Sequence, residues 1–191
     1  MMGQGRLFVL SGPSGVGKDS VLEALFQRMT GVTRSVSATT RLPRSGEING
    51  KDYHFLTRAQ FEADITAGLF LEYAEYAGNL YGTPLRGVQE QRAAGNDVIL
   101  KIEVQGATAV RKIAPDAILV FVEPPSLSVL ETRLRSRATD DEALIQARLE
   151  RARTELECVR WYDYRLVNDD LISAADTLRA IIVAERSKVR A

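Results

Sequence analysis

The sequence predicts an α/β protein: a parallel sheet with helices on both faces, interrupted by a mixed insertion and followed by a charged helical stretch. Three observations point there. Short, continuously apolar runs alternate with segments of helical spacing, as in strands buried on both faces. A glycine-rich stretch, GPSGVGK at residues 12–18, joins the first apolar run to the first helical segment. Residues 35–81 break the alternation, being rich in Thr, Tyr, Arg and Gly.

Taken in order, residues 6–11 (RLFVLS) read as a buried strand, and residues 19–29 as a helix through Val21, Leu22, Leu25 and Phe26. Inside the irregular region, residues 52–56 and 70–77 are strand-like. The helix between them should open at Thr57, with Gln60 three residues on completing a capping box. Residues 98–103 and 118–123 are buried-strand candidates, with a helix at 105–113 between them. Two charged helical stretches follow Pro124-Pro125, at 127–137 and 140–158. Residues 164–167 form a last short strand, and 170–189 an amphipathic helix with N-cap chemistry in 168–170. The expected organisation is one domain: a core of residues 1–34, 85–124 and 159–191, an insertion at 35–84 and a charged helical pair at 125–158.

Composition narrows the class. A chain of 191 residues with 45% apolar and 26% charged content suits a globular domain and excludes a disordered one. Lys plus Arg balances Asp plus Glu at 25 each, which argues against a nucleic-acid-binding or anionic-membrane surface. The single cysteine, Cys158, allows no internal disulfide and fits a reducing compartment. No segment has the ~20 apolar residues that span a bilayer, and the N-terminus lacks a signal-peptide pattern. A soluble, cytoplasmic protein is expected.

GPSGVGK fits the pattern G-x-x-x-x-G-K directly between a strand and a helix. That context gives it physical meaning. Glycines let the backbone curl so that successive N–H groups face phosphate oxygens, the helix N-terminus adds favourable dipole charge, and Lys18 reaches the terminal phosphates. A glycine-rich turn that binds nothing is the alternative reading. The general motif continues with Ser or Thr, whose hydroxyl holds Mg2+. Here Asp19 takes that place and Ser20 follows as the candidate hydroxyl.

A second constellation lies in the insertion, SVSATTRLPRSGEINGKDYHF at 35–55. Arg41 and Arg44 flank Pro43, which restricts the backbone between them, so two guanidinium groups can fork a phosphate while Tyr53 adds a hydroxyl. A solvated turn with surface arginines has the same composition. In FLEYAEYAGNLYGTP at 70–84, Glu72 is a carboxylate within an apolar strand, which is costly unless it meets donors. Guanine presents two parallel N–H donors on one edge, and Ser37 and Thr83 could then donate to its carbonyl.

With SATTRLPRSGEINGKDYHF, LEYAEYAGNLYGTP and IEVQGA in this order, the chain resembles the guanylate kinases over residues 6–185. The resemblance implies transfer of the ATP γ-phosphoryl group to GMP (or dGMP), giving ADP and GDP, with Mg2+ required. It implies an ATP site at Gly12, Pro13, Ser14, Gly15, Val16, Gly17, Lys18, Asp19 and Ser20, with Ser20 toward the metal. It places Ser37, Arg41, Arg44, Tyr53, Glu72, Tyr81 and Thr83 in the GMP pocket, with Glu103 at an adjacent acidic position. Arg133, Arg137 and Arg148 match arginines of a lid, here residues 125–158, that closes over the triphosphate, and with Lys18 and Arg41 they are the implied catalytic residues. Helical spacing agrees in part, since Arg133 and Arg137 are four apart and share a face, although nearby Glu131, Glu142 and Glu150 also suit a salt-bridged solvent face.

One departure stands out. Guanylate kinases usually carry an acid where this chain has Lys101, which precedes Glu103 by two and is expected on the same strand face. Asp19 and Lys101 are then either compensating changes acting through water or independent ones. His54, Cys158, Trp161, Tyr162 and Tyr164 are expected to be structural, the aromatic residues packing the return to the core. Asn168 and Asp169 can cap the last helix or approach the adenine. Alternatives to the kinase reading are a different P-loop small-molecule kinase, a non-catalytic guanylate-kinase-like binding module and a nucleotide switch. The two GMP-type constellations argue against the first, the intact loop against the second, and nothing here resembles the partner-binding loops of the third.

Overall fold

The computed structural model describes residues 3–76, 78–136 and 142–189. In chain order the elements are β1 (Leu7–Ser11), α1 (Lys18–Phe26), β2 (Val32–Arg34), β3 (Ala38–Thr39), β4 (His54–Phe55), α2 (Arg58–Thr66), β5 (Phe70–Tyr76), β6 (Asn79–Pro84) and α3 (Leu85–Ala93). They continue with β7 (Asp97–Lys101), α4 (Val104–Ile113), β8 (Ile118–Glu123), α5 (Leu127–Arg135), α6 (Glu142–Leu156), a 3-10 turn (Glu157–Trp161), β9 (Tyr164–Val167) and α7 (Leu171–Ser187). The chain forms two compact units. Unit 1 is Met1–Leu7, Gly31–Leu100 and Gln105–Ala117; unit 2 is Phe8–Thr30, Lys101–Val104 and Ile118–Ala191.

The predicted parallel sheet is present, with described strands in the order β2-β7-β1-β8-β9. In unit 2, β1 pairs with β8 and β8 with β9, both parallel. Every residue of β1 is buried and β8 is buried over five of its six positions, so neither shows alternation. Val21, Leu22 and Leu25 of α1 are buried, and so are Leu178 and Ile182 of α7, the helix that packs against α1. Leu130 and Leu134 of α5 form a further cluster with Ile145, Leu149 and Ala152 of α6. Asp170 caps α7 by accepting the Ser173 N–H at 2.8 Å, as its place before the helix predicts.

In unit 1, β2 and β7 are parallel, and a second, mixed sheet runs β4-β3-β6-β5. The predicted capping box opens α2: Thr57 Oγ1 accepts the Gln60 N–H at 3.2 Å while Gln60 Oε1 accepts the Thr57 N–H at 2.9 Å. That cap sets α2 so that its one buried residue, Phe61, stacks on Phe70 of β5 with centroids 4.4 Å apart. Gly82 of β6 makes the stack possible, since a Cβ there would lie 2.9 Å from the Phe61 ring and 3.0 Å from Phe70. Burying a side chain of this size stabilises by about 1.5–3 kcal/mol. The aromatic pair therefore fixes the β5–β6 hairpin that carries Glu72, Tyr81 and Thr83.

Several expectations are corrected. Strand β7 ends at Lys101, so Glu103 lies in the two-residue link before α4 rather than on the strand. The helix after the glycine-rich loop ends at Phe26, with the Arg28 N–H turning back to Leu25. Strands β2, β3 and β6 and helix α3 were not expected. Helix α3 buries only Val88, so it lacks an apolar stripe and presents a 2.7 Å Arg86–Glu90 pair instead. Trp161 is 67% exposed, with the Arg160 guanidinium 5.5 Å from its ring, while Tyr162 packs edge-on against Phe121 at 4.8 Å. Among the described residues no helix is long and apolar enough to cross a membrane.

Candidate active site

In unit 2 the loop after β1 turns on glycines that nothing else can replace. Gly12 has φ 143°, and a Cβ on it would stand 2.2 Å from the Val122 carbonyl oxygen. Gly17, at φ 97°, is the left-handed N-cap of α1, and a Cβ there would meet Asn168 Nδ2 at 2.4 Å. Lys18 opens α1 and folds back, its Nζ donating to the Gly12 and Pro13 carbonyls at 2.5 and 3.1 Å and lying 3.6 Å from Glu103 Oε1. The first N–H groups of α1 have no partner within the helix and make this end electropositive, so loop, helix start and ammonium suit a polyphosphate.

The loop is braced from behind. Asn168, 5% exposed, donates from Nδ2 to the Val16 carbonyl at 2.8 Å. Arg133 of α5 donates to the Asn168 carbonyl at 3.0 Å and to Val16 at 3.4 Å. Arg133, expected at the triphosphate, is thus tied to the phosphate loop itself. Arg148 is half-buried on α6, and Arg137 lies outside the described residues. Glu155, also on α6, is buried and bonded to Arg151 at 2.8 Å. Burial pushes its carboxyl upward, opposed by the Arg151 bond, with the Glu103 charge adding to the rise.

Asp19 and Lys101, read from sequence as either compensating or independent changes, form a direct ion pair at 2.5 Å. Mg2+ prefers oxygen ligands and keeps several waters, so it needs few from the protein. Glu103 Oε2 is a buried oxygen with no hydrogen-bond partner among the described residues, and Ser20 is exposed in the first turn of α1. No group of three or more His, Cys, Asp or Glu gathers for a metal among the described residues. That donor set fits a cation carried in on phosphate oxygens, with Ser20 and Glu103 available to it or its waters.

In unit 1, Glu72 and Thr83 face each other across the β5–β6 pair, beside a register shift between Phe70 and Glu72. Glu72 is 6% exposed, and the Thr83 hydroxyl donates to its Oε1 at 2.6 Å. Burial pushes the Glu72 carboxyl above the usual carboxylate range, and the Thr83 bonds only partly offset this. Thr83 was expected to serve a base carbonyl. Its single proton is committed to Glu72, so its present role is to orient the carboxyl.

Arg41 lies at the centre of the second cluster. Its guanidinium binds Glu47 Oε1 at 2.8 Å and the Leu42 carbonyl at 2.6 Å, and sits 5.4 Å from the Tyr53 ring centroid and 5.8 Å from that of Phe55. Tyr81 meets Tyr53 edge-on at 6.2 Å. Glu47 was missed by sequence reasoning. Its other oxygen accepts the Arg44 N–H at 2.6 Å, so one carboxylate sets both the Arg41 fork and the Arg44 backbone. The Arg41 hydrogen bond, helped by the Arg44 N–H, holds Glu47 below the usual carboxylate range despite its partial burial. The signal was local: Glu47 follows Arg44 by three, within the turn-forming SGEING. Arg44 is exposed, and Ser37 is half-buried with its carbonyl accepting the His54 N–H at 2.9 Å. A cavity of about 560 Å³ elsewhere in unit 1, lined by Leu56, Phe70, Leu85 and Gln89 among others, contains none of the predicted site residues.

Comparison with known proteins identifies the family. A family model described as guanylate kinase matches residues 4–185. The guanylate kinase of Lactobacillus delbrueckii subsp. bulgaricus is 48% identical over 191 residues, covering 100% of this chain and 94% of the relative. That of Bacillus subtilis (strain 168) is 48% identical over 189 residues, covering 98% and 93%. The crystal structure of guanylate kinase from Anaplasma phagocytophilum superposes with a TM-score of 0.82 at 33% identity, over 99% of this chain and 90% of that one. With the family model spanning nearly the whole sequence, the chain belongs to the guanylate kinase family.

Proposed function

We propose that this protein transfers the γ-phosphoryl group of ATP to GMP or dGMP, yielding ADP and GDP or dGDP. The observation that carries the acceptor assignment is the Glu72 carboxyl, buried in the β5–β6 hairpin and held in place by Thr83. A carboxylate matches the paired N–H groups of guanine. Adenine, with an acceptor in place of one of them, would set a lone pair against it, and leaving a buried group unpaired is what gives such sites large discrimination.

The phosphate of GMP is assigned to Arg41, Arg44 and Tyr53, with Tyr81 alongside. Glu47 holds the Arg41 fork open before substrate arrives, so less side-chain freedom is lost on binding. The triphosphate is assigned to the loop of residues 12–20, Lys18 moving from the Gly12 and Pro13 carbonyls to phosphate oxygens. A phosphate oxygen of GMP attacks the γ-phosphorus in line; the bond to the β-bridging oxygen breaks, and its electron pair leaves with ADP. The attacking oxygen is already largely ionised at neutral pH, since a phosphate monoester has its second pKa near ~6, so no side chain needs to remove a proton. Catalysis is then positioning and charge stabilisation by Lys18, Arg41, Arg133, Arg137 and Arg148. Ser20 and Glu103 would hold Mg2+ or its waters, and the cation would supply further charge neutralisation. Residues 35–84 act as the GMP-binding insertion and 125–158 as the lid. A cytoplasmic setting is part of the same reading, supported by the nucleotide substrates and the single cysteine.

A coupled assay of ADP formation with AMP, GMP, CMP and UMP tests this. Turnover with GMP and dGMP at least a hundredfold above the other three is expected. Equal turnover with AMP would overturn the base assignment, and no turnover with any would favour a binding module.

A further inference from the structure

We propose that Lys101 is a positioning cation for the phosphate loop: by neutralising Asp19 it gives this chain a loop that accepts a polyphosphate without the hydroxyl residue the general motif has at position 19. The proposal rests on the reading that residues 12–20 bind the triphosphate. Asp19 is the second residue of α1, in the turn whose free N–H groups face the anion. A carboxylate favours a helix start, yet beside a bound triphosphate it repels the ligand the loop is built for.

The structure answers that conflict with one contact. Lys101, the last residue of β7, reaches Asp19 across 82 positions of sequence, Nζ to Oδ1 at 2.5 Å. Its side chain is 18% exposed whereas that of Asp19 is 59% exposed, so the lysine is the covered member and the acid the one left toward solvent. A second pair runs parallel to it, Lys18 to Glu103 at 3.6 Å. Consecutive residues at the start of α1 are therefore matched by two residues around the end of β7, with signs crossed: cation 18 to acid 103, acid 19 to cation 101. Four alternating charges sum to zero. When Lys18 turns to the phosphates, Lys101 keeps the Asp19 charge offset beside them. Lys101 thus acts on the nucleotide through Asp19 and need not touch it.

The test is the affinity of ADP measured calorimetrically on the whole chain, in EDTA and in Mg2+, for Lys101→Met, Lys101→Arg, Asp19→Ser and the Asp19→Ser/Lys101→Met double variant. In EDTA, Lys101→Met should weaken ADP at least tenfold, Lys101→Arg less than threefold, and the double variant should return to within threefold of wild type. Mg2+ should recover more affinity in Lys101→Met than in wild type, because it can replace the missing cation beside Asp19. Unchanged ADP affinity in Lys101→Met, or a double variant no better than that single one, overturns the proposal. If Lys101→Met does not fold, Asp19→Ser alone decides: with the lysine released toward the phosphates, metal-free ADP should bind as tightly or more tightly, and a weaker affinity overturns the idea. Wild type that binds no ADP even with Mg2+ would instead bring down the triphosphate reading, and this proposal with it.

Discussion

Replacing Glu72 with Gln separates what this carboxyl does for recognition from what it costs the fold. The change keeps shape and the contact with Thr83, whose hydroxyl lies 2.6 Å from Oε1, but exchanges one acceptor for a donor in a side chain only 6% exposed. A hydrogen bond to a charged group contributes about 1.5–3 kcal/mol, and about 1.4 kcal/mol is tenfold. The kcat/KM for GMP should therefore fall by roughly 10- to 150-fold, with the KM for ATP changing less than twofold. Stability should move the other way. Burial raises the Glu72 carboxyl in the folded protein, which means the native state holds this proton more tightly than the unfolded chain does. Below the unfolded carboxyl pKa of about 4.3 there is no penalty; it grows as pH rises toward the folded value and is constant above it. Gln cannot ionise, so in the absence of GMP the midpoint of thermal unfolding of Glu72→Gln minus that of wild type should increase from pH 4 to 7. Unchanged GMP kinetics would remove Glu72 from base recognition. A midpoint difference independent of pH would remove burial of its charge as the cause.

Arg41→Lys retains the charge but loses the fork held by Glu47 and the stacking near Tyr53, so GMP kcat/KM should drop at least tenfold in steady-state assays while ATP parameters stay put; equal GMP kinetics would remove Arg41 from the phosphate clamp. Gly17→Ala combines a backbone at φ 97° with a Cβ 2.4 Å from Asn168 Nδ2, a strain of about 1–3 kcal/mol. It should lower the unfolding midpoint and abolish the stabilisation by ADP, and a wild-type ADP shift in differential scanning fluorimetry would refute the close fit. Arg133→Met should lower kcat more than it raises the KM for ATP if this arginine serves the transferring group. A rise in KM alone would leave it as a brace of the Val16 and Asn168 carbonyls.

The parts of this molecule that could be read from sequence are those where a local rule leaves one solution. The loop required glycine at backbone angles other residues resist; the capping box is two bonds within three residues; β1 and β8 are buried on both faces and read as unbroken apolar runs. Glu72 was legible because a carboxylate among Phe70, Leu71 and Tyr73 contradicts its surroundings and so needs a reason. What stayed hidden depends on partners far along the chain. Strand β6 holds Gly82 and Pro84, poor strand residues, and exists because β3 and β5 flank it and the Phe61–Phe70 stack needs a glycine there. The role of Thr83 followed from a cross-strand register no periodicity specifies, and Asn168 read as a cap until the Val16 carbonyl supplied its partner.

The same reasoning explains why the two departures at the phosphate loop mislead when taken singly. Asp19 alone breaks the motif and adds negative charge where a polyphosphate is proposed to bind; Lys101 alone places an extra cation near Glu103. Joined at 2.5 Å they cancel, and the loop start keeps the electrical balance that a neutral hydroxyl residue would give it. A substitution at a binding loop is therefore measured by the net charge of its contact set, which only the folded chain defines. The same logic applies in unit 1, where Glu47 carries charge of the sign that repels a phosphate, yet it binds the Arg41 guanidinium and the Arg44 N–H, the residues proposed to attract one.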